Sequence, residues 1–103
     1  MDNKSVFTII NNFKDILTAK GVNIDKVILY GSYATMTNRE DSDIDIIVIS
    51  DSFKNKDYWQ RIDILSDVIS EIFEPIEAVA MTNEEWENKT FMTAEYAKNG
   101  IAV

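Results

Sequence analysis

The sequence predicts a small α/β domain: a mixed sheet of about three or more short strands, flanked by helices. Two observations carry this expectation. Segments with helical periodicity alternate with short apolar runs bounded by polar loops. The 103 residues are 46% hydrophobic and 11% aromatic, enough for one core at close to the commonest domain size. No repeat, low-complexity tract or linker-like stretch divides residues 1–103, so a single domain is expected.

Residues 4–20 read as an amphipathic helix. Val6, Ile9, Ile10, Phe13, Ile16 and Leu17 share one face, and Lys20-Gly21 supplies a last-turn cation and a stop. Lys26 to Tyr30 is a short run of strand formers ended by Gly31. Tyr33 to Ser42 is polar and irregular. Asp43 to Ile49 alternates at first and then becomes Ile-Ile-Val-Ile, as in a strand buried on both faces. The short link between these two strands allows a hairpin or a crossover.

Asp57 with Gln60 forms a capping-box pattern that opens a second long helix, residues 57–73. Its expected buried stripe is Tyr58, Ile62, Leu65, Ile69 and Ile72. Pro75 then precedes a third strand, Ile76 to Met81. Thr82 with Glu85 is another capping box, starting a short helix through Trp86 and Glu87. A last helix is expected over residues 91–99, stopped at Lys98-Asn99-Gly100.

Composition narrows the chemistry. Without cysteine there is no disulfide framework and no thiolate zinc site. Without histidine there is no imidazole base and no Ser-His-Asp triad. Eighteen acidic against ten basic residues, net −8, argue against a basic surface for direct nucleic-acid binding. No segment approaches the roughly 18 apolar residues of a membrane span, and Met1-Asp2-Asn3-Lys4 starts no apolar leader. A cytoplasmic protein with no membrane partner is the expectation.

One segment combines the residues that chemistry needs: Gly31-Ser32-Tyr33-Ala34, then Ser42-Asp43-Ile44-Asp45. Asp43 and Asp45 are two apart on an expected strand, so their carboxylates share a face. Their mutual repulsion is relieved by divalent cations. Gly31 lets the backbone approach a phosphate closely, and Ser32 offers a hydroxyl to its oxygens. A phosphate-binding turn beside paired carboxylates points to magnesium-assisted phosphoryl or nucleotidyl chemistry. An EF-hand reading of Asp41, Asp43 and Asp45 fails, because Ile46 stands where glycine is needed and Ser52 where glutamate is. Asp41 reads as a turn residue. Tyr33 suits either a base contact or a turn or core contact, Trp59 a cover for the core or a partner surface.

Gly31-Ser32-x-Ala34 followed by Ser42-Asp43-x-Asp45 resembles the signature of the polymerase-beta-like nucleotidyltransferase superfamily. In size, the chain resembles its minimal nucleotidyltransferases (MNT), the antitoxin partners of HEPN toxins. The resemblance implies a third carboxylate on a later strand, which Glu77 supplies. It implies that Asp43, Asp45 and Glu77 are catalytic and bind two Mg2+ ions. It also implies that Gly31, Ser32, Asp43 and Asp45 hold a nucleoside triphosphate, ATP by expectation. One departure stands out: Met36 occupies the place of a second motif glycine, and methionine adopts a positive φ only at a cost. Arg39 offers a positive charge in the same loop.

The expected activity is transfer of NMP, AMP from ATP, to a hydroxyl of a partner protein. A HEPN ribonuclease toxin is the expected acceptor, making the chain a type VII-like antitoxin. Larger relatives hold the acceptor on an extra domain, for which this sequence leaves no residues. Two alternatives belong to the same reading: a catalytically weak antitoxin that occludes its toxin, and transfer to a small molecule such as an aminoglycoside.

Overall fold

Val6, Ile10, Phe13 and Leu17 recur at helical spacing and are all sealed from solvent along one side of the first helix, α1 (Asn3–Ala19). They do so in a computed structural model that describes residues 3–35, 43–88 and 100–103. Helix α1 stops at Gly21, whose φ of 98° suits a residue without a side chain. The elements that follow are β1 (Lys26–Tyr30), a one-turn α2 (Ser32–Thr35), β2 (Ile44–Ile49), a 3-10 turn at Asp51–Phe53, α3 (Tyr58–Ile72), β3 (Ile76–Met81), α4 (Asn83–Glu87) and β4 (Ile101–Ala102).

The sheet has the order β3-β2-β1-β4 and is mixed. Strands β1 and β2 are antiparallel, so their link is a hairpin rather than a crossover, with α2 inside it. Strands β2 and β3 are parallel, joined through α3, as parallel neighbours require. Strand β4 pairs with β1 at Ile28 and Leu29 and was not foreseen. Two residues carry too little pattern to register as a strand.

Central placement explains the continuous apolar run of β2. Ile44, Ile46 and Val48 enter the main core beneath α1 and α3, while Ile47 and Ile49 join Ile28 and Met81 on the opposite face. All five of these β2 residues are fully buried. Half-buried Trp86 packs against that second cluster. Tyr33 is buried in the main core, which settles its two readings in favour of the core contact.

Both expected capping boxes form. Gln60 N–H donates to Asp57 Oδ1 at 2.8 Å and Asp57 N–H to Gln60 Oε1 at 2.8 Å. Thr82 N–H donates to Glu85 Oε1 at 2.8 Å and Glu85 N–H to Thr82 Oγ1 at 3.2 Å. The inward stripe of α3 needs one correction. Leu65 and Val68 are its buried residues, whereas Tyr58 is 64% exposed. The first turn of α3 stands over a cleft beside β3 instead of over the core, and the Tyr58 ring meets Trp59 edge-on at 5.1 Å. Trp59 is 69% exposed, so it does not cover the core. The expected helix at 91–99, together with Met36, Arg39, Asp41 and Ser42, lies outside the described residues.

Candidate active site

The hairpin and the parallel crossover bring three elements to one end of the sheet. Strand β1 ends there, while β2 and β3 begin there. The register aligns Tyr30 with Asp45 across β1 and β2, and Asp45 with Glu77 across β2 and β3. Residues opposite one another in adjacent strands put their side chains on one face, close enough to interact. Tyr30, Asp45 and Glu77 therefore form a row across the three strands. Asp43 lies just before β2, exposed, and its charge acts on Asp45.

Gly31 closes the row from the side. Its φ is 73°, a left-handed conformation, and a Cβ placed there would collide with the Asp45 Oδ2 oxygen. Glycine is thus required twice, for the backbone turn and for the close approach of a carboxylate. Ser32 follows immediately as the first residue of α2, and Ala34 N–H donates to Gly31 O at 3.1 Å.

The carboxylates are crowded. Burial pushes the Asp45 carboxyl up to about 6, helped by a hydrogen bond with Glu77 and by the charges of Glu77 and Asp43. A hydrogen bond between two carboxyl groups requires a proton shared between them. The Tyr30 hydroxyl is pushed up to about 12, by burial first and then by the charges of Asp45 and Glu77. Both shifts have burial as their first cause, and the neighbouring carboxylate charges add to it, with no cation named among the causes for either group. Oxygen donors with excess negative charge are the set a hard divalent cation prefers, so the residues fit such an ion. Among the described residues, however, no three carboxylates are gathered tightly enough to grip an ion as they stand. Asp45 with Glu77 is the close pair.

Of the sequence-derived site residues, Asp45, Glu77 and Gly31 are brought together, and Ser32 and Asp43 border them. Tyr30 was missed. It reads as an ordinary strand residue until the hairpin register places it beside Asp45. Glu77 also lines a cleft of about 510 Å³ between β3 and the start of α3. Its far end is closed by Arg61, which donates to Glu85 Oε1 at 2.6 Å, Lys56 O at 3.0 Å, Phe53 O at 3.1 Å and Ala80 O at 3.4 Å.

The family model "Polymerase beta, Nucleotidyltransferase" matches residues 11–103. The chain belongs to this nucleotidyltransferase family. Members typically work with divalent metal ions, in keeping with the crowded carboxylates. No curated protein gives a significant sequence match. Among solved structures, a candidate nucleotidyltransferase of Sulfolobus solfataricus superimposes with a TM-score of 0.76 at 16% identity, over 97% of this chain and 80% of the other. A second candidate nucleotidyltransferase gives 0.55 at 22% identity, over 79% and 86%. A structure of a toxin-antitoxin with AMP-PNP gives 0.50 at 24% identity, over 67% and 55%. At these identities the structural likenesses establish the shared fold. No helix among the described residues is long and apolar enough to cross a membrane.

Proposed function

We propose that this family member transfers a nucleoside monophosphate, AMP from ATP, to a hydroxyl group on a partner protein. The observation that carries the reading is the convergence of Gly31, Asp45 and Glu77 at one end of the sheet. Asp43, Asp45 and Glu77 would hold Mg2+, two ions by the family resemblance, and Gly31 with Ser32 would receive the triphosphate. The chemistry such a metal would supply when bound is polarisation of the α-phosphate and neutralisation of the departing pyrophosphate. The chain's own residues supply the rest. The Gly31 backbone permits close approach of the phosphates, and Asp45 or Glu77 accepts the proton leaving the acceptor hydroxyl. No histidine is needed for either task.

The partner we favour is a HEPN ribonuclease toxin, silenced by modification of a tyrosine. The fold shared with a chain of a toxin-antitoxin that holds AMP-PNP supports this choice, as does the likeness of the sequence to minimal nucleotidyltransferases. A cytoplasmic location follows from that pairing. The test is the intact mass of a HEPN partner after incubation with this protein, Mg2+ and each NTP. An increment of one AMP is expected with wild type and none with Asp45→Asn. Equal masses in both reactions defeat the transfer reading. Neutralisation of the toxin in cells by the Asp43→Asn, Asp45→Asn double variant would instead support antitoxin action by occlusion.

A further inference from the structure

We infer that the outer edge of β3 is a docking strand for an extended segment of the polypeptide that carries the acceptor hydroxyl. This rests on the protein-acceptor reading above and names how that acceptor is recognised. Among the described residues, β3 is the terminal strand on its side of the sheet and no further strand pairs with its outer edge. Its odd-numbered carbonyls face β2: Pro75 O accepts from Ile44 N–H at 2.7 Å and Met81 O from Ser50 N–H at 2.9 Å. Its even-numbered backbone groups therefore face outward, as Ala80 O shows by accepting from Arg61 on the other side. The Ala78 N–H, the Ala78 carbonyl and the Ala80 N–H point the same way, along the cleft between β3 and α3.

Four features suit this edge to a polypeptide. An unpaired strand edge is a template for a further strand. Ala78 and Ala80 carry only methyl groups, which leaves the cleft wide, and Ile62 and Leu65 of α3 give its opposite wall an apolar surface. Its charges do not favour a phosphate backbone: Lys56 and Arg61 face Asp57, Glu77 and Glu85, and Arg61 is already engaged by Glu85. At the mouth, Tyr58 and Trp59 are 64% and 69% exposed and stacked edge to face, the residue types that anchor protein interfaces.

Continuity with the carboxylate row decides what the docked segment does. Glu77 lines the cleft at the β3 edge and, by strand alternation, carries its carboxylate on the sheet face of Asp45, so an added edge strand, whose side chains alternate between faces, reaches both. A segment paired with Ala78 comes within a residue or two of the site, at about 3.3 Å per residue. Because Arg61 occupies the Ala80 carbonyl, the pairing is limited to a few backbone hydrogen bonds. Such an edge holds a substrate briefly and releases it.

The test uses the isotope-labelled full chain and a purified HEPN-fold ribonuclease, without nucleotide. Amide exchange at Ala78 and Ala80 is expected to slow at least tenfold in the complex. Ala78→Pro removes an outward N–H and leaves the β2 ladder its hydrogen bonds; it is expected to weaken binding about tenfold. The Tyr58→Ala, Trp59→Ala double variant, at exposed positions, is expected to do the same and stands in if the proline variant misfolds. Unchanged exchange at both amides under saturation overturns the inference, as does failure to form a complex. Equal protection by a twelve-nucleotide single-stranded RNA, or by the chain alone at high concentration, overturns it in favour of those occupants. Transfer is read separately, by intact mass with Mg2+ and ATP. Protection without a mass gain retains the docking strand and defeats the transfer reading; a mass gain without protection does the reverse.

Discussion

Asp45 is the residue on which the local physics converges. Its carboxyl is raised from 3.8 to about 6, so the folded state binds its proton more tightly than the unfolded chain does. The stability cost is absent below 3.8, grows as the pH rises from 3.8 to about 6, and is complete above that. Asp45→Asn should therefore stabilise the metal-free protein at pH 7.5, by about 1 kcal/mol once solvent screening is allowed for. It should do so while abolishing nucleotidyl transfer. Thermal melts in EDTA together with the mass assay check both halves. A variant that loses activity while gaining stability marks a site kept for function. Gly31→Ala makes the opposite case. The added Cβ meets the Asp45 carboxylate at a positive φ, so a loss of about 1–2 kcal/mol is expected. Displacement of Asp45 should also lower transfer at least tenfold, read in the same assays.

Among the elements, α3 shows both what local sequence dictates and what it leaves open. Its start was legible because Asp57 and Gln60 satisfy each other's backbone amides within a single turn. Its end is less comfortable. Phe73 takes the left-handed C-cap at φ 60° and is 89% exposed, where glycine is the usual residue. Phe73→Gly should raise stability by about 1 kcal/mol in denaturant melts. The ends of β1, β2 and β3 were legible to within a residue, because short apolar runs bounded by Gly, Ser and Pro define strands without reference to neighbours. What no run of residues shows is who pairs with whom. The choice of hairpin over crossover, the place of Tyr30 beside Asp45, the addition of β4 and the exposure of Tyr58 all depend on contacts distant in sequence. The Arg61–Glu85 pair is of the same kind. Burial alone would raise the Glu85 carboxyl, but hydrogen bonds from Arg61 and Thr82 and the guanidinium charge outweigh it and hold it low. That contribution is present above about 4.5 and is lost as pH falls through the lower, folded value. Arg61→Ala removes the donor from three carbonyls and the counter-charge from the Glu85 carboxylate, which keeps only its hydrogen bonds with Thr82. A loss of about 2–3 kcal/mol is expected, lowering the Tm by roughly 10 °C or more.

At the scale of the whole molecule, the net charge of −8 opposes a substrate made of phosphates. The conflict resolves locally, because carboxylates crowd where a divalent cation would make the field attractive. The same arrangement links metal binding to folding. An ion that binds the native carboxylates, and not the unfolded chain, stabilises the protein by mass action. Mg2+ should therefore raise the Tm at pH 7.5, where Asp45 is ionised, and do so less at pH 5, where its proton competes with the ion. The metal-free protein should show the reverse trend for this group, gaining stability as the pH falls from 7.5 to 5. Asp45→Asn, with no charge to relieve, should lose most of both responses. Melts of the two proteins at the two pH values, with EDTA or with millimolar Mg2+, give eight numbers. A magnesium shift in wild type that does not depend on pH and survives in Asp45→Asn would place the ion elsewhere on the acidic surface. A shift confined to wild type at the higher pH would tie the acidity of the chain, its metal and its fold to one row of side chains.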